Sequence, residues 1–224
     1  MRSIGGKPLL QRAVEAAVRS KRIDKVFVSS DSQQYLTNAA YWASFVEKGK
    51  FSGIIRPPAL AEDVPSEDVI LHAVHYIENQ LGIKVDDQLV TIQCTTPLLS
   101  SADIDGALAV YDNGGCKSVI SVTRVREHPD WMFKIKDGRL RTYTKMDVPG
   151  PFDPVDRPLK GDWGVRQTRE ELYRPNGAIY VVSKKALIEE KTLFAPPIGA
   201  YIMPFERSWD IDEEIDLKIL ESLV

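Results

Sequence analysis

The chain has 224 residues, of which 43% are hydrophobic and 27% are charged, and its formal net charge is −3. This length and composition suit one large α/β domain, and the lack of a basic excess argues against a nucleic-acid-binding protein. Its apolar runs are too short to span a membrane, and its first residues lack the apolar core of a signal peptide. We therefore expect a cytoplasmic protein with no membrane segment.

The first half of the chain alternates helix and strand patterns. The helical spacing of "KPLLQRAVEAAVRS" precedes the strand "KVFVSS", and a helix over "QQYLTNAAYWASFVEKG" precedes the strand "SGIIRPP". The helix "SEDVILHAVHYIENQLG", with Ser66 as its expected N-cap, is followed by the strand "DQLVTIQ", the helix "SADIDGALAVYDNG" and the strand "KSVISVTRV". This order predicts an α/β fold with a doubly wound, mostly parallel sheet. The polar strand ends "SSD", "RPP" and "QCTTP" should line one cleft.

The pattern changes after Val125. The pair Asp137-Gly138 lies between alternating runs in "WMFKIKDGRLRTYT" and predicts a β-hairpin. The segment that follows is rich in proline, glycine and charge, and indicates a long excursion from the sheet. Strand and helix patterns return with "NGAIYVVS", "KKALIEE" and "AYIMP", and the chain closes on a helix. We predict a single domain over residues 1–224 with an insertion at about 127–173.

Acidic residues crowd the segment "SWDIDEEIDL" near the end of the chain. Asp210 and Asp212 are two positions apart, so an extended backbone would point both side chains the same way. Two carboxylates on one face suit a hard cation such as Mg²⁺. The same residues also fit the start of the last helix, with Asp212 as its N-cap and Glu213 and Glu214 at the positive end of the helix dipole. The spacing leaves both interpretations open.

Two more clusters carry side chains that suit ligand binding. Arg56, stiffened by the two prolines after it, suits a base carbonyl or a phosphate, and Ser66 either faces a ligand or caps its helix. Gln93, Thr95 and Thr96 offer neutral donors and acceptors where a strand leaves the sheet, which suits a sugar or a nucleobase. Polar residues of this kind are also typical of ordinary turns and surface loops.

A fourth cluster lies in "RQTREELYRPNGAIYV". Arg166 is the first of three arginines that suit a carboxylate or phosphates. Asn176 precedes a glycine, a pair typical of turns, and Tyr180 lies within an apolar strand that suits the core. His72 and His75 stand one helical turn apart, but no third ligand accompanies them, so the pattern favours ordinary helix residues over a metal site.

Nine segments in order resemble one known family, the acylneuraminate cytidylyltransferases (CMP-sialic acid synthetases and their relatives). They are "IGGKPLL", "VFVSSD", "RPPALAED", "VILHAV", "QCTTPLLSSADI", "SVISVT", "EHPDWMFK", "RPNGAIYV" and "MPFERSWDIDEEIDL". The resemblance covers nearly the whole chain. It implies the sheet of nucleotide-diphospho-sugar transferases, a homodimer, and a hairpin dimerisation arm at about 127–173. The implied reaction joins CTP to a nine-carbon keto sugar acid with Mg²⁺, giving CMP-sugar and pyrophosphate.

The resemblance also implies roles for individual residues. The catalytic Mg²⁺ ligands would be Asp210 and Asp212. The nucleotide site would contain Arg56, Ser66, Asp31 and Thr95. The sugar-acid site would contain Gln93, Thr96, Arg166, Asn176, Tyr180 and Phe194, with Arg166 pairing the carboxylate.

Some positions depart from the family pattern. Cys94 stands where proline is usual, Leu99 where arginine is frequent, and Trp131 near a basic residue of some members, which leaves the identity of the sugar open. The family begins with a strand and a phosphate-cradling loop that precede the position of Met1, so we expect either missing N-terminal residues or impaired catalysis. Two alternatives remain: a truncated paralogue that dimerises and binds nucleotide or sugar, and an Asp-x-Asp glycosyltransferase using a nucleotide sugar.

Overall fold

The structure is a computed structural model, and it describes residues 1–142, 167 and 169–223. These residues divide into two compact units. The larger unit contains Met1–Thr123 and Pro175–Val224, and the smaller one is Arg124–Arg174. The smaller unit spans the segment in which the sequence predicts an excursion from the sheet.

The helices and strands follow the predicted order. The strands are β1 Ser3–Ile4, β2 Lys7–Pro8, β3 Val26–Ser30, β4 Phe51–Ile55, β5 Gln88–Ile92, β6 Ser118–Arg124, β7 Phe133–Lys136, β8 Arg139–Thr142, β9 Tyr173–Ser183 and β10 Ile198–Ile202. The helices are α1 Leu9–Arg19, α2 Gln33–Val46, α3 Ser66–Gln80, α4 Ser101–Gly114, α5 Lys184–Glu190 and α6 Glu214–Glu221. Short 3₁₀ turns occupy Pro58–Leu60, Pro129–Trp131 and Phe205–Arg207.

The larger unit holds two separate groups of strands besides the short β1–β2 pair. One is a four-stranded sheet in the order β10-β6-β9-β5, in which β6 and β10 run parallel and β5 and β9 antiparallel. The other is the parallel pair β3–β4. The predicted α/β class with a mostly parallel sheet is confirmed, with β9 as the strand that departs from it.

Alternation along β9 shows how the helices cover both faces of the four-stranded sheet. Ile179 and Val181 are buried in the main core with residues of α1, α2 and α4. Tyr180 and Val182 belong to a second cluster with residues of α3 and α5. Because successive side chains of a strand point to opposite faces, these clusters lie on opposite sides of the sheet. This is the predicted doubly wound arrangement.

A third apolar cluster ties the two ends of the described chain together. Ile4, Leu9 and Leu220 are buried against one another, and Trp209 and Ile211 pack on them. Burial of this apolar surface fixes α6 and the segment before it against the start of α1. Apolar packing therefore holds the residues immediately before and after Asp210.

Two predicted helix caps are wrong. Ser66 is the first residue of α3, and Pro65 occupies the cap position without a side-chain hydrogen bond. Helix α6 is capped by Glu213 rather than Asp212, because Glu213 and Asp216 form a reciprocal capping box. Asp216 Oδ2 accepts the backbone N–H groups of both Asp212 and Glu213, and Asp212 lies one residue before the cap.

The smaller unit contains the predicted hairpin. Strands β7 and β8 pair antiparallel around Asp137 and Gly138, whose φ angles of 52° and 71° suit a type I′ turn. Arg169 donates to Asp130 Oδ2 at 3.0 Å within this unit. The predicted site residue Arg166 lies outside the described residues. Among the helices that the structure describes, none is both long and apolar enough to cross a bilayer.

Candidate active site

The carboxylate of Asp210 lies against the backbone of β9. A Cβ atom placed on Gly177 would stand 2.5 Å from Asp210 Oδ2 and 3.6 Å from Gln93 Oε1. Gly177 also has a φ of +73°, a backbone conformation that residues other than glycine rarely adopt. Only glycine leaves room at this position, so the backbone admits the carboxylate between β9 and the end of β5.

Hydrogen bonds fix the Asp210 segment to the end of β5. The backbone N–H of Ile211 donates to the carbonyl of Thr95 at 2.9 Å. The turn that presents Thr95 is itself closed by the hydroxyl of Thr96, which donates to the Gln93 carbonyl at 3.0 Å. The Thr95 hydroxyl donates to Gln93 Oε1 at 3.4 Å. The predicted cluster of Gln93, Thr95 and Thr96 is therefore brought next to Asp210.

Asn176 anchors the same segment from the side of β9. It is 1% exposed, and its amide donates to Ser208 Oγ at 2.9 Å. Its carbonyl oxygen accepts from Ser121 Oγ at 2.6 Å. These bonds occupy both ends of the side chain in a buried site, so Asn176 positions the segment before Asp210.

An ion pair between the buried Asp103 and the partly exposed Arg207 holds the segment from a third direction. Arg207 donates from Nη2 to Asp103 Oδ1 at 2.8 Å and from Nε to Oδ2 at 3.0 Å. Burial alone would raise the pKa of Asp103, but hydrogen bonds from Arg207 and Ser100 lower it below its usual value. Tyr201 donates its hydroxyl to the same carboxylate at 3.2 Å. The pair fixes the 3₁₀ turn that leads to Asp210.

Two aromatic side chains form a wall of the site. Tyr180 and Phe194 meet edge to face with ring centroids 6.0 Å apart, and Phe194 is 45% exposed. Burial raises the pKa of the Tyr180 hydroxyl, and the charges of Asp210 and Glu67 add to the effect. Glu67 also accepts the backbone N–H of Leu193 at 3.1 Å, which ties α3 to the loop that presents Phe194.

Two polar atoms of the predicted site are buried without a hydrogen-bond partner among the described residues. They are Asp210 Oδ1 and Arg56 Nε. A buried polar atom left unpaired is costly in free energy, so such atoms often mark the place of a ligand or ion. The neighbouring strand fixes Arg56, because its backbone N–H donates to the Ser30 carbonyl at 2.9 Å.

The other predicted residues have more open positions. Asp31 is exposed in a bend after β3, and Ser66 is exposed at the first position of α3. Asp212 is exposed, and its backbone N–H donates to Asp216 Oδ2 at 3.0 Å. In the part of the chain that the structure describes, no three His, Cys, Asp or Glu side chains stand close enough to hold a metal ion by themselves. Any cation at Asp210 would need further oxygens from substrate or water.

Sequence reasoning missed several residues that build the site. Gly177 carried a visible signal, since an Asn-Gly pair indicates a positive φ, but its contact with Asp210 follows only from the fold. The Asp103–Arg207 pair joins residues 104 positions apart. Glu67 and Ser208 lie in segments that the sequence analysis quotes, but nothing in those patterns indicated what these two side chains contact. These roles depend on which distant segments come into contact in the fold, and a local sequence pattern does not indicate such contacts.

In open α/β sheets, ligands bind in the crevice outside the carboxyl ends of the strands, and the Asp210 segment lies beside the residues that follow β5. The family described as cytidylyltransferase matches residues 1–132, more than half of the chain. The chain belongs to the cytidylyltransferase family. Its membership argues against the glycosyltransferase alternative.

Individual relatives agree with this assignment. The chain is 30% identical over 217 residues to the N-acylneuraminate cytidylyltransferase of Streptococcus agalactiae serotype III, covering 95% of this chain and 46% of that protein. It therefore spans about half the length of the streptococcal protein. It is 27% identical over 227 residues to the CMP-N,N'-diacetyllegionaminic acid synthase of Legionella pneumophila, covering 100% of this chain and 88% of that one.

A solved structure supports the fold. The 4-diphosphocytidyl-2C-methyl-D-erythritol synthase of Anaerococcus prevotii superposes with a TM-score of 0.64 at 12% identity. The superposition covers 99% of this chain and 87% of that chain. At this level of identity the likeness extends to the fold alone.

Proposed function

We propose that this protein transfers a cytidylyl group from CTP to a sialic-acid-like nine-carbon keto sugar acid and releases pyrophosphate. The observation that carries the proposal is the buried, unpaired Oδ1 of Asp210 between the end of β5 and β9. Family membership and the names of the N-acylneuraminate and CMP-legionaminic relatives supply the reaction class.

The donor set around Asp210 fits a magnesium ion. Mg²⁺ prefers oxygen ligands and commonly takes one or two carboxylates together with water and substrate phosphates. Asp210 supplies a buried oxygen with no competing partner, and Asp212, two residues on, is free to supply a second. When bound, the ion would offset the charge that develops on the phosphates.

The remaining residues would bind and orient the two substrates. Arg56 would use its unpaired Nε on the nucleotide, as charged donors do for phosphate or a base carbonyl. Gln93 and Thr95 would contact nucleotide and sugar from the end of β5. Tyr180 and Phe194 would cover an apolar face of the sugar acid, and Arg166 would pair its carboxylate. Their joint effect is to align the reacting groups.

The proposed reaction is a nucleophilic substitution at the α-phosphorus of CTP. The anomeric hydroxyl oxygen of the sugar acid forms a bond to the α-phosphorus of CTP, and the bond from that phosphorus to the β-phosphate oxygen breaks. The hydroxyl proton is released, and pyrophosphate leaves. The residues named above contribute by holding both substrates in line and by excluding water.

The test is pyrophosphate release by the full chain with CTP, Mg²⁺ and a panel of keto sugar acids that includes N-acetylneuraminic, legionaminic and pseudaminic acids. Turnover should require the divalent ion. Asp210→Asn and Asp212→Asn should each lower turnover by about a hundredfold or more while leaving thermal unfolding nearly unchanged. Glu189→Gln, an exposed carboxylate on α5, is the matched control.

The outcomes separate the alternatives. Calorimetric binding of CTP without any turnover would support the paralogue that only binds its ligands. Turnover that survives Asp210→Asn would contradict the assignment of the site.

We also propose that the protein acts in the cytoplasm as a homodimer and that the smaller unit is the dimerisation arm.

A further inference from the structure

Strand β10 is the last strand at one side of the four-stranded sheet, and it carries no charge. Within the described residues it pairs only with β6, so its other edge is open. No Asp, Glu, Lys, Arg or His occurs from Thr192 to Phe205, and Pro197 and Pro204 flank the strand. Natural edge strands usually carry a charge or a proline within them, because an open, uncharged edge readily pairs with another strand. Strand β10 has neither between its flanking prolines.

The bonds between β10 and β6 show which backbone groups lie on the open edge. The N–H of Met203 donates to the Val122 carbonyl at 2.8 Å. The Pro197 carbonyl accepts the N–H of Lys117 at 2.9 Å. In a parallel ladder, alternate residues of a strand turn both their N–H and C=O groups to the same neighbour, so the odd-numbered residues of β10 face β6. The even-numbered residues turn theirs to the open edge: Ile198, Ala200 and Ile202.

The side chains of the same three residues are exposed. Ile198 is 47% exposed and Ile202 is 57% exposed, and Ala200 between them is exposed as well. They share one face, because side chains two positions apart in a strand point the same way. Tyr201 points to the other face, where its hydroxyl donates to Asp103 of α4. The described part of the chain therefore leaves this edge with unpaired backbone donors and acceptors beside an uncovered apolar face.

The sequence of β10 is complementary to itself about Ala200. If two copies of the strand run antiparallel around a two-fold axis at Ala200, Ile198 of each copy lies beside Ile202 of the other. On the opposite face Gly199 of each copy lies beside Tyr201 of the other, so a small residue accompanies a large one. Each even-numbered pair exchanges two backbone hydrogen bonds, and the odd-numbered residues keep their bonds to β6.

The open edge of β4 lacks this complementarity. Within the described residues β4 pairs only with β3, so it too has an open edge. Antiparallel pairing of two copies about Gly53 would place Lys50 of each copy beside Arg56 of the other. Like charges directly opposite one another destabilise a strand pair. Charge therefore opposes self-pairing at β4, and no charge opposes it at β10.

We propose that two copies of the chain pair through β10, as antiparallel strands about a two-fold axis at Ala200, and so join their sheets into one. This contact uses no residue of the hairpin, and it depends neither on the proposed reaction nor on the hairpin dimer. A five-residue ladder is a small interface, so we expect weak association, with a dissociation constant on the order of 100 µM. At low micromolar concentration the contact is therefore largely dissociated.

The test is sedimentation equilibrium of the full chain from about 5 to about 500 µM, where the average mass should rise at least about one and a half times. Ala200→Lys would bring two ammonium groups together at the axis, and Ala200→Glu two carboxylates. Each variant alone should raise the dissociation constant at least about tenfold. An equimolar mixture of the two variants should restore it to within about threefold of the value for the unmodified chain, because opposite charges then meet at the axis.

Ala40, an exposed alanine of α2, provides the matched control. Ala40→Lys and Ala40→Glu add the same charges away from β10, so each should associate like the unmodified chain. Thermal unfolding shows whether all four variants fold.

Amide hydrogen exchange of the unmodified chain gives a measurement that needs no variant. Exchange at Ile198, Ala200 and Ile202 should slow by about threefold between 5 and 500 µM, because most chains are then paired. Exchange at Gly53 and Ile55, on the open edge of β4, should not change with concentration.

Three results would overturn the proposal. One is a constant average mass, with unchanged exchange at the three β10 amides, up to 500 µM. Another is association of folded Ala200→Lys or Ala200→Glu that equals that of the unmodified chain. The third is a mixture of these two variants that stays as dissociated as each variant alone, which would exclude a two-fold axis at Ala200.

Discussion

At the scale of single residues, Gly177 occupies a position that few other residues could fill. It combines a positive φ with a close approach to the Asp210 carboxylate. We predict that Gly177→Ala costs about 1–2 kcal/mol of stability from the left-handed backbone alone. The added methyl group would also displace Asp210 Oδ2, and a displacement on the order of 1 Å lowers turnover by about a hundredfold. Urea unfolding and pyrophosphate release measure the two effects.

A second glycine separates these causes. Gly82 has a φ of +63°, and nothing lies within 4 Å of the Cβ it would carry. Gly82→Ala should therefore show a similar loss of stability with unchanged turnover. If the two variants lose turnover equally, the contact between Gly177 and Asp210 has no functional role.

The sequence identified residues by type better than by role. It singled out Asp210, Gln93 and Thr95, and the fold brings these three together. It offered Asn176 as a ligand contact, a role that stays a prediction, whereas its observed bonds go to Ser121 and Ser208. A buried amide and a ligand-binding amide look alike in sequence, because burial is decided by distant segments.

At the scale of elements, the Asp103–Arg207 pair joins α4 to the turn before Asp210. The pKa of Asp103 is lowered in the folded protein, so its ionised form stabilises the fold above its unfolded pKa of about 4. That contribution is lost as the pH falls through the lower folded pKa. We predict that Asp103→Asn loses about 2 kcal/mol at pH 7, less than a fully buried pair, because Arg207 is partly exposed.

Urea unfolding between pH 7 and pH 3 measures this contribution. The difference in the free energy of unfolding between the unmodified chain and Asp103→Asn should shrink below about pH 4. Asp112→Asn is the matched control, because Asp112 pairs with Arg22 at the surface and should matter less. A difference that stays constant down to pH 3 would contradict an electrostatic origin.

Elements with strong local signals were predictable. The Asp137-Gly138 hairpin is encoded within a few residues. The first residues of helices near prolines and acidic runs were harder to predict, because Ser66, Asp212 and Glu213 all suit a cap in isolation. Which one caps depends on where the preceding chain is held, and before α6 the partly buried Trp209 and Ile211 pack against the third apolar cluster.

At the scale of the whole molecule, the sheet is the feature that local patterns describe least. Strand patterns indicated which segments are extended, but the break between β3 and β5 is a property of pairing. The antiparallel pairing of β5 with β9 likewise joins segments that are far apart in the sequence, such as Gln88 and Ser183. Long-range pairing of this kind determines where the candidate site forms.

The oligomeric state of the protein can be tested through the hairpin of β7 and β8. Ile135 and Leu140 are cross-strand partners in the hairpin, and they are 77% and 48% exposed. Two such neighbours form an apolar surface that suits a dimer interface. We predict that Ile135→Lys shifts a dimer to monomer in sedimentation equilibrium, raising the dissociation constant by about thirtyfold or more, without changing thermal unfolding of the monomer. Ile188→Lys on α5, at a residue 46% exposed, is the control and should remain dimeric; if Ile135→Lys also remains dimeric, the hairpin is not the dimerisation arm.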